Sequence, residues 1–211
     1  MRSQRRLYTK KTGSASNSDH YYIFDELSGD LIDHNGTADM TVFETTRGNG
    51  QYLFDGVNDD CRVNNGLIGT DFPISVTVEI KKNNVNDGVI YFSNWVAGQF
   101  YTGIFLQLSA NGVNCAYGNG EGTFSRHRRN FSSLNYVYDL NYHKISVEFV
   151  DAFNVNLWID GISYAMNYSS GTADFIGIAV ETNLFNYQGI YQRGSLKNLQ
   201  VFNRLLEPSE R

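Results

Sequence analysis

Side chains able to make or break bonds are present in this chain, but few stand at useful spacings. Glycosidic-bond hydrolysis needs two carboxyl groups, one to protonate the leaving oxygen and one to attack or to position water. A strand built for it would show Glu and Asp on one face, as E-x-D-x-E or E-x-D-x-x-E. No such run occurs. Glu148-Phe149-Val150-Asp151 is the nearest, and its spacing puts Glu148 on a strand face and Asp151 in a turn. Glu79 shares its face with Ser75 and Thr77 and has no acidic companion. Both glutamates are expected in solvent. His20, His34, His127 and His143 show neither metal-ligand spacing nor an H-E-x-x-H pattern. Gly118-Asn119-Gly120-Glu121-Gly122 resembles a phosphate loop by composition alone and reads as a hairpin tip. These absences predict a protein that is not an enzyme.

One cluster has the chemistry of recognition. In Phe124-Ser125-Arg126-His127-Arg128-Arg129-Asn130-Phe131, basic and aromatic residues interleave. Such surfaces stack on sugars or bases and pair with carboxylate or phosphate. Lying between two groups of strands, the cluster is expected as a long exposed loop, where binding often resides. Arg126, His127, Arg128 and Arg129 either bind a ligand or form salt bridges to an acidic body. As ligands, an anionic glycan or an acidic neighbouring subunit fit better than DNA, because the surrounding charge is negative.

The elements that must carry these groups are strands. Ile74, Val76, Val78 and Ile80 alternate with Ser75, Thr77 and Glu79, the period of a half-buried strand. Ile145, Val147 and Phe149 alternate in the same way, as do Val155, Leu157 and Ile159. Gly88–Ser93, Gly103–Leu108, Gly112–Tyr117, Phe175–Val180 and Leu196–Phe202 read as further strands. Asn111-Gly112 and Asp160-Gly161 are hairpin turn signals. About a dozen closely spaced strands predict two antiparallel sheets packed face to face.

Length and composition agree. With 211 residues, a single sandwich buries roughly 70% of the surface its unfolded chain exposes and needs no disulfide or metal to fold. Twenty Gly against two Pro point to many turns rather than to disorder. Cys61 and Cys115 fall in apparent strands and are expected as free buried thiols. No apolar run is long enough to span a membrane, and no secretory signal peptide is expected. Residues 1–18 read as a basic arm and linker, and residues 19–211 as one domain. The arm carries Arg2, Arg5, Arg6, Lys10 and Lys11 with no acid, which leaves the rest of the chain more acidic than the overall net charge of -5. An acidic body disfavours a nucleic-acid-binding face. The arm is expected to dock the domain onto neighbouring subunits of an oligomeric assembly.

Four motifs in order resemble the laminin-G-like, pentraxin-like domains of the concanavalin A jelly-roll superfamily. They are Phe54-Asp55-Gly56-Val57-Asn58-Asp59, Tyr142-His143-Lys144-Ile145, Leu157-Trp158-Ile159-Asp160-Gly161, and the terminal strand from Gly194 through Asn203-Arg204-Leu205-Leu206. Tyr142 stands where the family usually has Trp. The resemblance covers roughly residues 21–210 and implies an all-β, antiparallel two-sheet jelly-roll sandwich. It also implies calcium at one rim, held by Asp59, Asp60, Glu181 and Asn183, although Thr182 interrupts the second pair. For a glycan at the rim loops, Trp95, Tyr101 and Tyr117 would offer aromatic faces. The lack of a signal peptide, the basic arm and the abundance of Asn, Gly and Tyr suggest a non-enzymatic virion appendage or decoration protein at the virion surface, attaching to cell-surface glycan. The alternatives are a lectin domain of a secreted or surface protein and, with its carboxylates lacking, a glycoside hydrolase.

Overall fold

Alternation along the longest strands builds the molecule. Ile74, Val76, Val78 and Ile80 are buried on the inner side of their strand, while Glu79 and Lys81 on the outer side reach solvent in part. The computed structural model describes residues 19–211 except 65, 85–87, 95–101, 111, 121–127, 134–135, 137–138, 180 and 188. In chain order the strands are β1 (His20–Tyr22), β2 (Thr41–Phe43), β3 (Thr46–Gly48), β4 (Gln51–Asp55), β5 (Asp60–Val63) and β6 (Ile74–Lys81). There follow β7 (Val89–Ser93), β8 (Thr102–Ser109), β9 (Gly112–Asn119), β10 (Arg128–Ser133), β11 (His143–Phe149) and β12 (Val155–Ile159). The last are β13 (Ile162–Tyr164), β14 (Asn167–Gly171), β15 (Thr182–Leu184), β16 (Asn186–Tyr187), β17 (Ile190–Tyr191) and β18 (Arg193–Phe202).

One sheet runs β13-β12-β11-β6-β18-β4-β3, with β1 also paired to β18; the other runs β14-β10-β9-β8-β7-β15-β5-β2. Strands β16 and β17 form a small separate hairpin. Pairing is antiparallel in both sheets, so the all-β, two-sheet jelly-roll sandwich expected from the sequence is the observed fold. The β12–β13 hairpin turns through Asp160 and Gly161, both at positive φ (53° and 78°), as the Asp-Gly signal requires. The turn signal at Asn111 lies outside the described residues.

Inner faces of the two sheets meet in one core. The Phe54 and Phe185 rings stack with centroids 4.2 Å apart and planes 7° from parallel. Leu157 is fully buried beside Val147 and Tyr164 of the adjacent strands. Leu157→Ala should therefore lower the unfolding free energy by about 2–5 kcal/mol, read as a fall in the urea midpoint without a change of slope. Cys61 and Cys115 are free and buried, and burial raises both thiol pKa values, which keeps them unreactive.

Two sequence expectations fail here: residues 175–179, read with Val180 as a strand, form none, and the second concerns Glu148. Glu148 is not solvated but fully buried beneath the C-terminal segment. Its carboxylate accepts the Leu206 backbone N–H at 2.7 Å and the Asn156 amide at 3.0 Å, with the Arg211 guanidinium 3.7 Å away. A buried carboxylate persists only with such partners, and here they come from the neighbouring strand β12 and from the C-terminal segment. Glu79, half-buried, accepts the Asn198 amide at 2.6 Å.

Candidate functional site

The outer face of the second sheet carries a row of paired residues that crosses every strand. Register places Ser170, Asn130, Ala116, Phe105, Ser93, Asn183, Arg62 and Thr41 opposite one another in succession. Side chains on one face of paired strands repeat every second residue. The same face therefore also presents Gln107 opposite Asn114, and Gly103 opposite Gly118 opposite Arg128. Their inward neighbours Ile104, Leu106, Val113, Cys115 and Tyr117 fill the core.

Over β8–β10 this face forms a groove of about 300 Å³. Phe105 and Ala116 make an apolar floor against which Tyr187 of the β16–β17 hairpin packs. The Phe105 and Tyr187 rings meet edge to face at 5.4 Å. Amides line the remainder. Asn114 Nδ2 donates to Gln107 Oε1 at 3.3 Å, and Asn130 Nδ2 donates to the Ser170 hydroxyl at 2.9 Å. Each amide offers two donors and a carbonyl acceptor, so one such bond uses only part of its capacity. Among the described residues of the lining, Arg128 is the one that carries charge.

An aromatic floor, amide walls and a single guanidinium suit a polyhydroxylated ligand. Ring faces cover apolar C–H surface, amides match hydroxyls, and Arg pairs with a carboxylate. No family model matches this chain, and no curated protein sequence is significantly similar to it. Solved structures do match. Trypanosoma rangeli sialidase superposes with a TM-score of 0.64 at 14% identity, over 90% of this chain and 31% of that chain. The same enzyme in complex with sialic acid gives 0.63 at 13% identity over the same shares. The binding domain of botulinum neurotoxin serotype G gives 0.65 at 15% identity, over 92% of this chain and 49% of that one.

The chain shares the two-sheet β-sandwich fold of these structures. It spans less than half the length of each of these proteins. The expectation of a non-enzymatic virion appendage is overturned by these matches, because the neighbours that share the fold are sialidases and a toxin binding domain. The features that suggested a virion, a basic arm and a composition rich in Asn, Gly and Tyr, say nothing about what the sandwich does.

The structure separates the remaining candidate residues. Arg2, Arg5, Arg6, Lys10, Lys11, Trp95, Tyr101, Arg126 and His127 lie outside the described residues. Tyr117 offers no ring face to a ligand: it is fully buried, between Phe72 and Phe149, and its hydroxyl donates to the Ala152 and Ala173 carbonyls at 2.7 and 2.8 Å. Arg129 points to the inner side of its strand. Its Nε donates to the Ala173 carbonyl at 2.7 Å, and its guanidinium covers the Phe153 and Tyr168 rings. Of the basic cluster's described residues, Arg128 and Asn130 line the groove.

The residues assigned to calcium do not fit it. A hard cation takes six to eight oxygens, whereas these carboxylates are already engaged. Asp60 is fully buried, paired with Arg62 at 2.6 Å and accepting the Asn186 amide at 2.6 Å. Asp59 accepts the Asp55 backbone N–H at 2.6 Å, and burial raises its pKa despite that bond. Glu181 accepts the Asn183 amide. Burial would lower the Arg62 pKa, but the hydrogen bond and charge of Asp60, with the charge of Glu181, raise it. The Arg62 guanidinium already stands where a cation would have to sit beside Asp60.

Phe105, Gln107, Asn114 and Tyr187 were not anticipated as site residues. The signal for the first three lay in the outward positions of β8 and β9, one residue out of step with Ile104, Leu106, Val113 and Cys115. Tyr187 had none, since its hairpin arrives from elsewhere in the chain.

Proposed function

We propose that this chain is a carbohydrate-binding domain of the laminin-G-like, concanavalin A-like kind, taking a glycan into the groove over β8–β10. The observation that carries the reading is the composition of that face: a Phe105–Ala116 floor, amides from Gln107, Asn114 and Asn130, and, among the described lining residues, Arg128 as the charged one. The guanidinium makes sugars bearing a carboxylate the better ligands. The fold shared with a sialidase that was solved with sialic acid and with a toxin's binding domain supports a carbohydrate-binding role.

Binding without bond cleavage is part of the proposal. Among the described lining residues of the groove there is no carboxylate, and Asp60 and Glu181 farther along the face are held by Arg62, Asn186 and Asn183.

Screening the chain against immobilised neutral and acidic glycans tests the reading. Asn130→Ala should weaken the best ligand by about fivefold to tenfold, the worth of one or two hydrogen bonds. Arg128→Gln should weaken acidic glycans by a similar factor and leave neutral ones unchanged, and added salt should mimic it for acidic glycans only. Glycan binding that neither substitution alters, or no binding to any glycan, would place the function elsewhere.

A further inference from the structure

A second cluster lies away from the groove, on the loop between β1 and β2. Leu31 and Met40 exchange backbone hydrogen bonds of 2.9 Å and close this loop at its middle. Inside it, ligand atoms of Asp25, Glu26 and His34 lie within 4.8 Å of one another. Glu26 is buried, Asp25 is exposed, and His34 is partly exposed. The His34 Nε2 atom is itself closed to solvent, and it has no hydrogen-bond partner among the described residues. A buried polar atom without a hydrogen bond is costly and calls for an explanation.

The distance supplies one. His34 Nε2 stands 3.7 Å from Glu26 Oε1, too far for a hydrogen bond. Two atoms bound to one tetrahedral zinc at 2.0–2.2 Å are about 3.4 Å apart. The imidazole and the carboxylate are therefore separated by nearly one edge of a coordination tetrahedron, with the Asp25 carboxylate within reach of a third corner.

We propose that Asp25, Glu26 and His34 form a zinc site. The donor set argues for zinc over calcium, because calcium prefers an all-oxygen cage whereas an imidazole with carboxylates suits a borderline transition-metal ion. Surrounding groups hold the donors in place. Glu26 Oε1 accepts the Ile32 N–H at 3.1 Å, and Glu26 Oε2 lies 3.3 Å from the Tyr52 hydroxyl, which donates to it. The His34 backbone N–H donates to the Tyr21 carbonyl at 2.8 Å. Such outer bonds orient ligands at metal sites. Three protein donors leave a fourth position for water or for a group from a bound partner. The ion pins residues 25–34 to the sandwich beside β1.

Titration of the metal-stripped full chain with zinc chloride, followed by calorimetry and by thermal unfolding, decides the matter. The expected result is one zinc per chain with a raised melting temperature, since a ligand that binds only the folded state stabilises it. His34→Gln and Asp25→Asn should each weaken zinc at least tenfold. Asp25 is exposed, so its variant tests the site without disturbing packing. Zinc binding of unchanged affinity in both variants, or no stoichiometric binding, would overturn the assignment, and so would stabilisation by calcium but not by zinc. Circular dichroism of each variant shows that the fold is retained.

Discussion

Replacing Asp33 with Asn should lower the stability of the chain by about 3 kcal/mol at neutral pH, the scale for breaking up a buried, charge-assisted network. Asp33 is buried and accepts five hydrogen bonds. Oδ1 takes the backbone N–H groups of Tyr21, Asn35 and Gly36 at 3.1, 3.2 and 2.9 Å. Oδ2 takes the Ala38 N–H at 3.2 Å and lies 2.6 Å from His20 Nδ1. An amide has one acceptor oxygen. Whichever way the Asn is set, its NH2 group faces at least one N–H that the carboxylate had satisfied. Burial alone would raise the Asp33 pKa, but the His20 bond and the backbone N–H groups of Gly36, Tyr21 and Ala38 outweigh it and hold the carboxyl well below the usual carboxylate range. The sign of the pH effect follows. This stabilisation is fully present above the ordinary carboxylate pKa of about 4, and it is lost as pH falls toward the depressed folded value. Urea unfolding of both proteins at several pH values checks this: the gap between them should be widest at neutral pH and narrow in acid. A constant gap would mean that the carboxylate's charge is not what the loop relies on.

Gly171→Ala should dismantle the groove from its edge. Gly171 ends β14 opposite Arg129, at a φ of 102° that L side chains rarely adopt. An added Cβ would collide with the carbonyl oxygen of Arg128, part of the backbone of the neighbouring strand. Backbone cannot rotate away as a side chain can, so β14 must part from β10. That moves Ser170 away from Asn130 and frees the Arg128 end of the groove. The expected outcome is a loss of about 2–3 kcal/mol of stability, from a strained φ added to a steric clash. Binding of any glycan that the groove takes should fall by more than tenfold. Gly161→Ala, in a hairpin where an added Cβ meets nothing, is the matched control. It carries the strain of positive φ without the collision, and should leave glycan affinity unchanged.

Local pattern carried much of the architecture. The alternation in β6, β11 and β12 announced the strands and their inner faces, and Asp160-Gly161 announced a hairpin. Local pattern failed where partners come from distant parts of the chain. The expectation for Tyr117 is a displayed ring, because aromatics suit rims, yet Ala116 and Tyr117 are adjacent on one strand and either could have been the one facing outward. Only the register of β9 against β8 and β10 turned Ala116 to the groove and Tyr117 to the core. Glu148 sits in a strand with correct alternation, and its outward direction was legible. Its burial was not, because residues 204–211 fold back across that face. His34 lies in the same loop as Asp25 and Glu26, but at no recognised ligand spacing, and the loop's closure by Leu31 and Met40 is what brings them together.

Taken alone, the amino-acid order settled that this chain is an all-β sandwich, because period-two burial and turn residues act between near neighbours. The candidate groove took shape only on folding. Whether an outward side chain meets solvent, a covering segment such as the one over Glu148, or a groove depends on contacts between residues dozens of positions apart, and no short-range pattern encodes those.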